Sequence, residues 1–228
     1  MRKISKENPP PALTEWIAAN KKGPNCNYNS VGGELRKVIR EALITEQGGL
    51  CAYTGRKMDV DSCHIEHLKP QQHCIDLEDV AYKNLVAAVP QPNTPKLPYG
   101  AHLKDNWPSP GESDLFVSPL STGCSDRFSF NFKGEVQPKN PEDEAAATTI
   151  ARLGLDHDIL VSYRRSAIRG TINVRGKMLD VKSARRRLDG LTEKETTSRD
   201  LEQFSFAIID ALKKHIARLQ KVSGKKKP

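Results

Sequence analysis

Seven prolines between Pro90 and Pro119 limit what this chain of 228 residues can fold into more than any other feature. Proline has no backbone N–H to give to a helix interior or a central strand, so a stretch this rich in it is mostly loop. Only Gly100 to Asn106 leaves room there for a short helix. The chain is thereby divided. Before the loop, Gly33 to Gln47 places Leu35, Val38, Ile39, Ala42 and Leu43 at helical steps, with Gly48-Gly49 as the stop. The period then shortens. Leu50-Cys51-Ala52-Tyr53 and Ser62 to Leu68 read as short strands, and Asn84 to Val89 as a compact apolar strand ended by Pro90.

After the loop, Phe128, Phe130 and Phe132 alternate with polar residues ahead of Gly134, the pattern of a hairpin strand with one buried face. At that spacing the three rings are expected in the core rather than stacked on bases. From Pro141 the pattern turns helical: 142–155 with an acidic first turn, 158–170, 177–188, and 193–221 with an apolar stripe from Leu201 to Leu219. The expected fold is α+β. An N-terminal arm and helix (1–49) precede a small β-containing core (50–138), a C-terminal helical region (139–222) and a basic disordered tail (223–228).

Composition removes several classes of function. No apolar run approaches the about 18 residues needed to cross a bilayer. The opening MRKISKENPPPALTEW has basic residues but no apolar stretch behind them, so neither a membrane protein nor a secretory signal is expected, and the cytoplasm is the expected location. Five cysteines, at 26, 51, 63, 74 and 124, form no even framework and are expected as reduced thiols. Thirty-six Lys and Arg against 28 Asp and Glu leave a net charge of +8, compatible with a phosphate-rich partner.

The chemistry concentrates in His64-Ile65-Glu66-His67-Leu68-Lys69-Pro70, followed by a long loop and then Asn84-Leu85 opening an apolar strand. An imidazole with an ordinary pKa of about 6.5 is suited to take a proton from water at neutral pH. A neighbouring carboxylate is suited to a hard divalent cation.

An acidic-His-apolar-x-Pro string on a strand, with a later Asn-Leu, resembles the ββα-metal core of HNH endonucleases. The resemblance implies Glu66 as a metal-ligating carboxylate, His67 as general base and Asn84 as the residue that holds the loop aiming it, with His64 beside them. It implies Mg²⁺ or Mn²⁺ as cofactor. A further ligand is implied after the second strand, and two positions fit: Asn93, in an Asn-x-x-Lys with Lys96, and His102, in Gly-Ala-His-Leu-Lys-Asp-Asn. Many HNH proteins also carry a structural zinc on two CxxC pairs. Here Cys51 faces Thr54 and the second pair is replaced, so that zinc is not expected.

Further features extend the resemblance over roughly residues 1–170: Met-Arg-Lys-Ile-x-Lys, Pro-x-x-Leu-x-x-Trp, Leu-Cys-Ala-Tyr, and Phe-x-Phe-x-x-x-Gly-x-Val-x-Pro. They are similar to the HNH nucleases of the Septu (PtuB) and retron-associated anti-phage branch. That branch implies an effector acting on nucleic acid, DNA favoured and tRNA or other RNA open. Its implied partners are a PtuA-type ATPase and, in retrons, a reverse transcriptase with its reverse-transcribed DNA. Lys69, Lys104, Lys96 and Arg127 are the expected contacts to nucleic acid, with Arg164, Arg165, Arg169 and Arg185-Arg186-Arg187 as further phosphate contacts or a solvated or partner-docked face. The competing reading is a catalytically silent HNH-like subunit that binds within an ATPase complex.

Overall fold

The computed structural model describes residues 1–23 and 25–224, so the expected tail falls, from residue 225 onward, outside the described residues. Helix α1 (Pro11–Asn20) begins on a proline, whose missing N–H would be unpaired in the first turn anyway, and buries Leu13. Helix α2 (Gly33–Glu46) follows the apolar spacing of the sequence and buries Ile39 and Leu43. Gly48 and Gly49 end it with φ of 66° and 71°. The next residue-level lock is Gln47, fully buried, whose Nε2 donates to the carbonyls of Leu50 and Ala87 at 2.9 Å each while its Oε1 accepts from Ala87 N–H at 2.7 Å. One amide therefore ties the end of α2 to the following turn and to the strand beyond.

Strands β1 (His64–His67) and β2 (Leu85–Ala88) pair antiparallel, with His64 opposite Ala88 and His67 opposite Leu85. Residues 50–53 do not form the expected strand. Cys51 N–H already bonds the Arg56 carbonyl and Gly55 turns at φ 72°, which leaves only a bridge between Leu50 and Lys57 and one bond from Ala52 N–H to Ala87 O. The proline-rich loop holds the short helix α3 (Ala101–Lys104), and beyond it β3 (Phe128–Phe130) pairs with β4 (Val136–Pro138). Phe128 and Phe130 are buried and Phe132 packs against the core, so these rings are structural.

Helix α4 (Glu144–Arg152) is capped by Asp143, which accepts from Ala146 N–H and also holds Arg127 through a paired carboxylate–guanidinium contact. Helix α5 (Asp158–Ile172) follows, then a small hairpin, β5 (Asn173–Val174) with β6 (Lys177–Met178), whose second strand takes the first two residues of the helix expected over 177–188. Helix α6 (Val181–Thr197) runs through Gly190, and the break before α7 (Ser205–Gly224) falls at 198–204 rather than near 190. Contacts set that break: Leu201 N–H donates to Gly48 O and Phe204 N–H to Gly55 O, docking the link onto the turn after α2. Helix α7 then passes through the core with Ala207, Ile208, Ala211 and Leu212 fully buried. Two-stranded antiparallel sheets and packed helices thus share one core, an α+β arrangement. No described helix is long and apolar enough to cross a membrane.

Arg164 corrects an expectation. It is 2% exposed, donates to the carbonyls of Gly134 and Leu155 at 2.7 and 2.6 Å, and is pulled down to about 10 by burial, so it fastens the β3–β4 turn to α5 and is unavailable to phosphate. The same joint gives a stability prediction. Gly134 has φ of 83°, and a Cβ there would lie 2.3 Å from Val161 O and 2.5 Å from Arg165 N. Gly134→Ala should lower unfolding stability by about 1–3 kcal/mol from backbone strain alone, read as a shifted urea midpoint.

Candidate active site

Strand β1 presents His64 and Glu66 on one face, and the chain leaves the strand at His67. The loop from Leu68 to Asn84 is long, and a loop of that length needs a fixed point if it is to aim a side chain. Asn84 supplies it. Its Oδ1 accepts from Lys69 N–H at 2.8 Å, and its Nδ2 donates to the carbonyls of Lys69 and Glu78 at 3.1 Å each, with Cys74 Sγ at 3.4 Å. Asn84 O also accepts from Leu68 N–H at 2.9 Å. A single residue at the start of β2 therefore binds both ends of the loop.

The loop in turn orients His67. Its Nε2–H donates to the Asp79 carbonyl at 2.8 Å, which leaves Nδ1 as the unprotonated nitrogen of the neutral ring. Tyr28 stands edge-on to the ring at 4.6 Å between centroids. Burial depresses the imidazole pKa below its usual 6.5, against the raising effect of the Asp79 carbonyl and the Glu66 charge. The ring is thus neutral at pH 7, with a free lone pair.

Glu66 is held from three sides. Lys104 Nζ lies 3.0 Å from Oε1 and also donates to His67 O at 2.7 Å, Tyr53 OH donates to Oε1 at 3.4 Å, and His64 Nε2 is 3.3 Å from Oε2. Burial would raise the Glu66 pKa, but the hydrogen bond to His64 and the charge of Lys104 outweigh it and hold the carboxyl below its ordinary value. Glu66 is ionised. The Tyr53 phenol is pushed well up by burial and by that same carboxylate.

The fit of a divalent cation can be judged from hydrogens. His64 Nδ1–H donates to Pro90 O at 2.5 Å, so Nε2 faces Glu66 Oε2 with a lone pair. Two lone pairs 3.3 Å apart call for a cation, either a proton or a metal ion. In the absence of a metal the proton is favoured: burial opposes it, but the Glu66 contact prevails and the His64 pKa is raised. His102 is differently placed. Its ring is stacked on His64 at 6.5 Å, but its Nδ1 accepts from Leu97 N–H at 2.8 Å, so the neutral ring carries its proton on Nε2 and has no lone pair left for a metal. Asn93 is exposed in the loop after β2 with φ of 65°, and no hydrogen bond brings it to Glu66. No group of three or more His, Cys, Asp or Glu among the described residues is arranged to hold a metal. His64 Nε2 and Glu66 Oε2 fit a hard cation that keeps most of its coordination as water and phosphate.

The expected nucleic-acid contacts separate. Lys104 is 1% exposed and faces Glu66 from inside, which corrects its reading as a surface contact. Lys69, half exposed, pairs with Glu78 of the loop, Arg127 is engaged by Asp143, and Lys96 is exposed. Tyr28 and the carbonyl of Asp79 are parts of the site that carry no motif of their own. Tyr53 alone had a signal, the Leu-Cys-Ala-Tyr string.

No protein-family model matches the chain. Its sequence is similar to that of a protein from Vibrio cholerae serotype O1 biovar El Tor described as "Retron Vc95 putative HNH endonuclease", at 28% identity over 181 residues that span 75% of this chain and 84% of the relative. The relative's description, an endonuclease of a retron, runs in the same direction as the residue types gathered on β1.

Proposed function

We propose that the protein is a metal-dependent HNH endonuclease that hydrolyses phosphodiester bonds in nucleic acid, DNA foremost, with β1, β2 and α3 as a ββα-metal core. The observation that carries the reading is His67: neutral, oriented by the Asp79 carbonyl, and adjacent to an ionised carboxylate whose side chain is 14% exposed. His67 Nδ1 accepts a proton from water as the oxygen attacks phosphorus. The bond from phosphorus to the 3′-oxygen breaks and that oxygen takes a proton from solvent water, leaving a 5′-phosphate and a 3′-hydroxyl. Glu66 and His64 would hold Mg²⁺ or Mn²⁺, which supplies positive charge to the phosphate as negative charge builds. Lys104 keeps Glu66 ionised and fixed, and the backbone of His67 with it. Asn84 keeps the loop, and hence Asp79 O, in register.

The biological setting we propose is that of an effector in a retron-type anti-phage system, in company with a PtuA-type ATPase. The similarity to a retron-associated protein and the Septu-like strings in the first 170 residues support it. If partners dock on the helical region, they use its exposed faces, such as Arg185 and Arg186 on α6, since α7 is part of the core.

The test is incubation of the purified protein with plasmid DNA and with total tRNA in Mg²⁺ or Mn²⁺. Nicked or linear plasmid is expected. Degraded tRNA with intact plasmid would move the substrate to RNA, and no metal-dependent cleavage of either, with or without the ATPase, would favour the silent binding subunit. Asn84→Ala gives a second check. Losing the loop's fixed point should lower stability by about 1–3 kcal/mol. It should also slow cleavage about 10²-fold, as a misplacement of about 1 Å at a base does. Unchanged turnover would show that the loop aims nothing.

A further inference from the structure

Beside the acid and base lies a cavity of about 260 Å³ lined by Tyr28, Arg36, Arg40, His64, Gln91 and His102. It touches both halves of the chemistry without including either reacting group. His64, on one wall, is the residue against Glu66, and Tyr28, on another, is the residue against His67. Arg36 and Arg40 stand four apart on α2, so they reach the cavity from one helix face.

The two guanidiniums are poorly satisfied. Arg36 donates through Nη2 to the carbonyls of Tyr28 and Asn29 at 3.0 and 3.2 Å and lies over the Tyr28 ring at 4.7 Å, yet its Nε is buried without a partner. Arg40 Nε is likewise buried and unpartnered. No carboxylate among the described residues pairs with either side chain, whereas twelve other ion pairs are formed. The two Nε atoms are closed to solvent, so what the cavity meets is the rest of two guanidiniums whose charge no described carboxylate neutralises, and these call for an anionic acceptor from outside. Guanidiniums match phosphate oxygens in charge and in the fork of their donors.

We propose that this cavity seats a backbone phosphate of the nucleic acid, the one next to the phosphodiester that is cut, and that Arg36 and Arg40 bind it. The inference rests on the nuclease reading and adds to it where the strand runs: from the cleavage point across Tyr28 towards α2. The residues act on binding. Their loss falls on affinity and KM, while kcat is set by His67 and Glu66.

The experiment uses the full chain carrying His67→Ala, so that nothing is cut, and a fluorescein-labelled DNA duplex read by anisotropy over a salt series. Arg40→Gln and Arg36→Gln should each weaken binding about tenfold, and the two together should reduce the slope of log affinity on log salt by about 0.9, the value for one phosphate contact on duplex, with each single variant taking part of it. Arg40→Lys keeps the charge and should keep most of the slope, and in the cleaving protein it should raise KM with kcat held. An unchanged slope in both glutamine variants, with the parent binding DNA and the wild type cutting it, overturns this inference and leaves the nuclease reading intact. A wild type that cuts nothing and a parent without salt-dependent binding overturn both. If the glutamine variants do not fold, the KM and kcat of Arg40→Lys decide: unchanged KM, or a fall in kcat alone, contradicts a flanking-phosphate role.

Discussion

His67→Ala should reduce cleavage by about 10²–10⁴-fold, the range a positioned general base contributes, with the fold retained. Retention is expected because the ring makes one hydrogen bond, to a loop carbonyl, and one edge contact to Tyr28, while Asn84 holds the loop independently. The same geometry fixes the pH response. Burial places the folded-state pKa of His67 below 6.5, so the free base is present at neutral pH and activity should fall only as pH drops through that lower value. Cleavage by His67→Ala within a factor of a few of wild type would remove the base from the mechanism.

Lys104→Met should have the largest effect on stability. Lys104 is 1% exposed and its partner's side chain 14%, so the substitution leaves a mostly covered carboxylate without its lysine, held only by His64 and Tyr53. Breaking a buried pair from one side costs about 3–5 kcal/mol. Adding Glu66→Gln should return much of that loss, because an amide needs no counter-charge. The pair also has a pH signature. The Glu66 pKa is depressed in the folded state, so its contribution is complete above the unfolded value of about 4.5 and is lost as pH falls through the folded one. In Lys104→Met that contribution shrinks. A loss below about 1 kcal/mol, or no recovery in the double variant, would show that Lys104 does not support Glu66 as described.

What the sequence makes legible follows from how local the determinants are. The α2 spacing, the Gly48-Gly49 stop, the aromatic alternation at 128–132 and the short helix inside the proline-rich loop are set by residues within one turn or one strand, and the observed elements fall within a residue or a few of them. The end of α6 does not. Gly190 looks like a break, but a helix tolerates one glycine, and the break lies where Leu201 and Phe204 bond to residues about 150 positions earlier.

The site divides the same way. His64, Glu66, His67 and Asn84 are visible as a string and a spacing. Lys104 was read as a phosphate contact because charge is all that a lysine shows in a sequence, and its bond to His67 O crosses 37 residues. Arg164 was misread for that reason too, being a donor to two loop carbonyls. The difference between His64 and His102 as metal donors rests on which ring nitrogen meets Pro90 O and which meets Leu97 N–H, and no pattern of residue types encodes that.

The central claim is that His67 directs water at phosphorus, and the most direct measurement is the fate of the solvent oxygen. Cleavage should be run in ¹⁸O-labelled water and the product ends analysed by mass spectrometry. The account predicts one labelled oxygen in each new 5′-phosphate, a 3′-hydroxyl on the other end, and negligible product with His67→Ala. Unlabelled ends, a cyclic phosphate formed by a sugar hydroxyl, or labelled product at an undiminished rate from His67→Ala would contradict it.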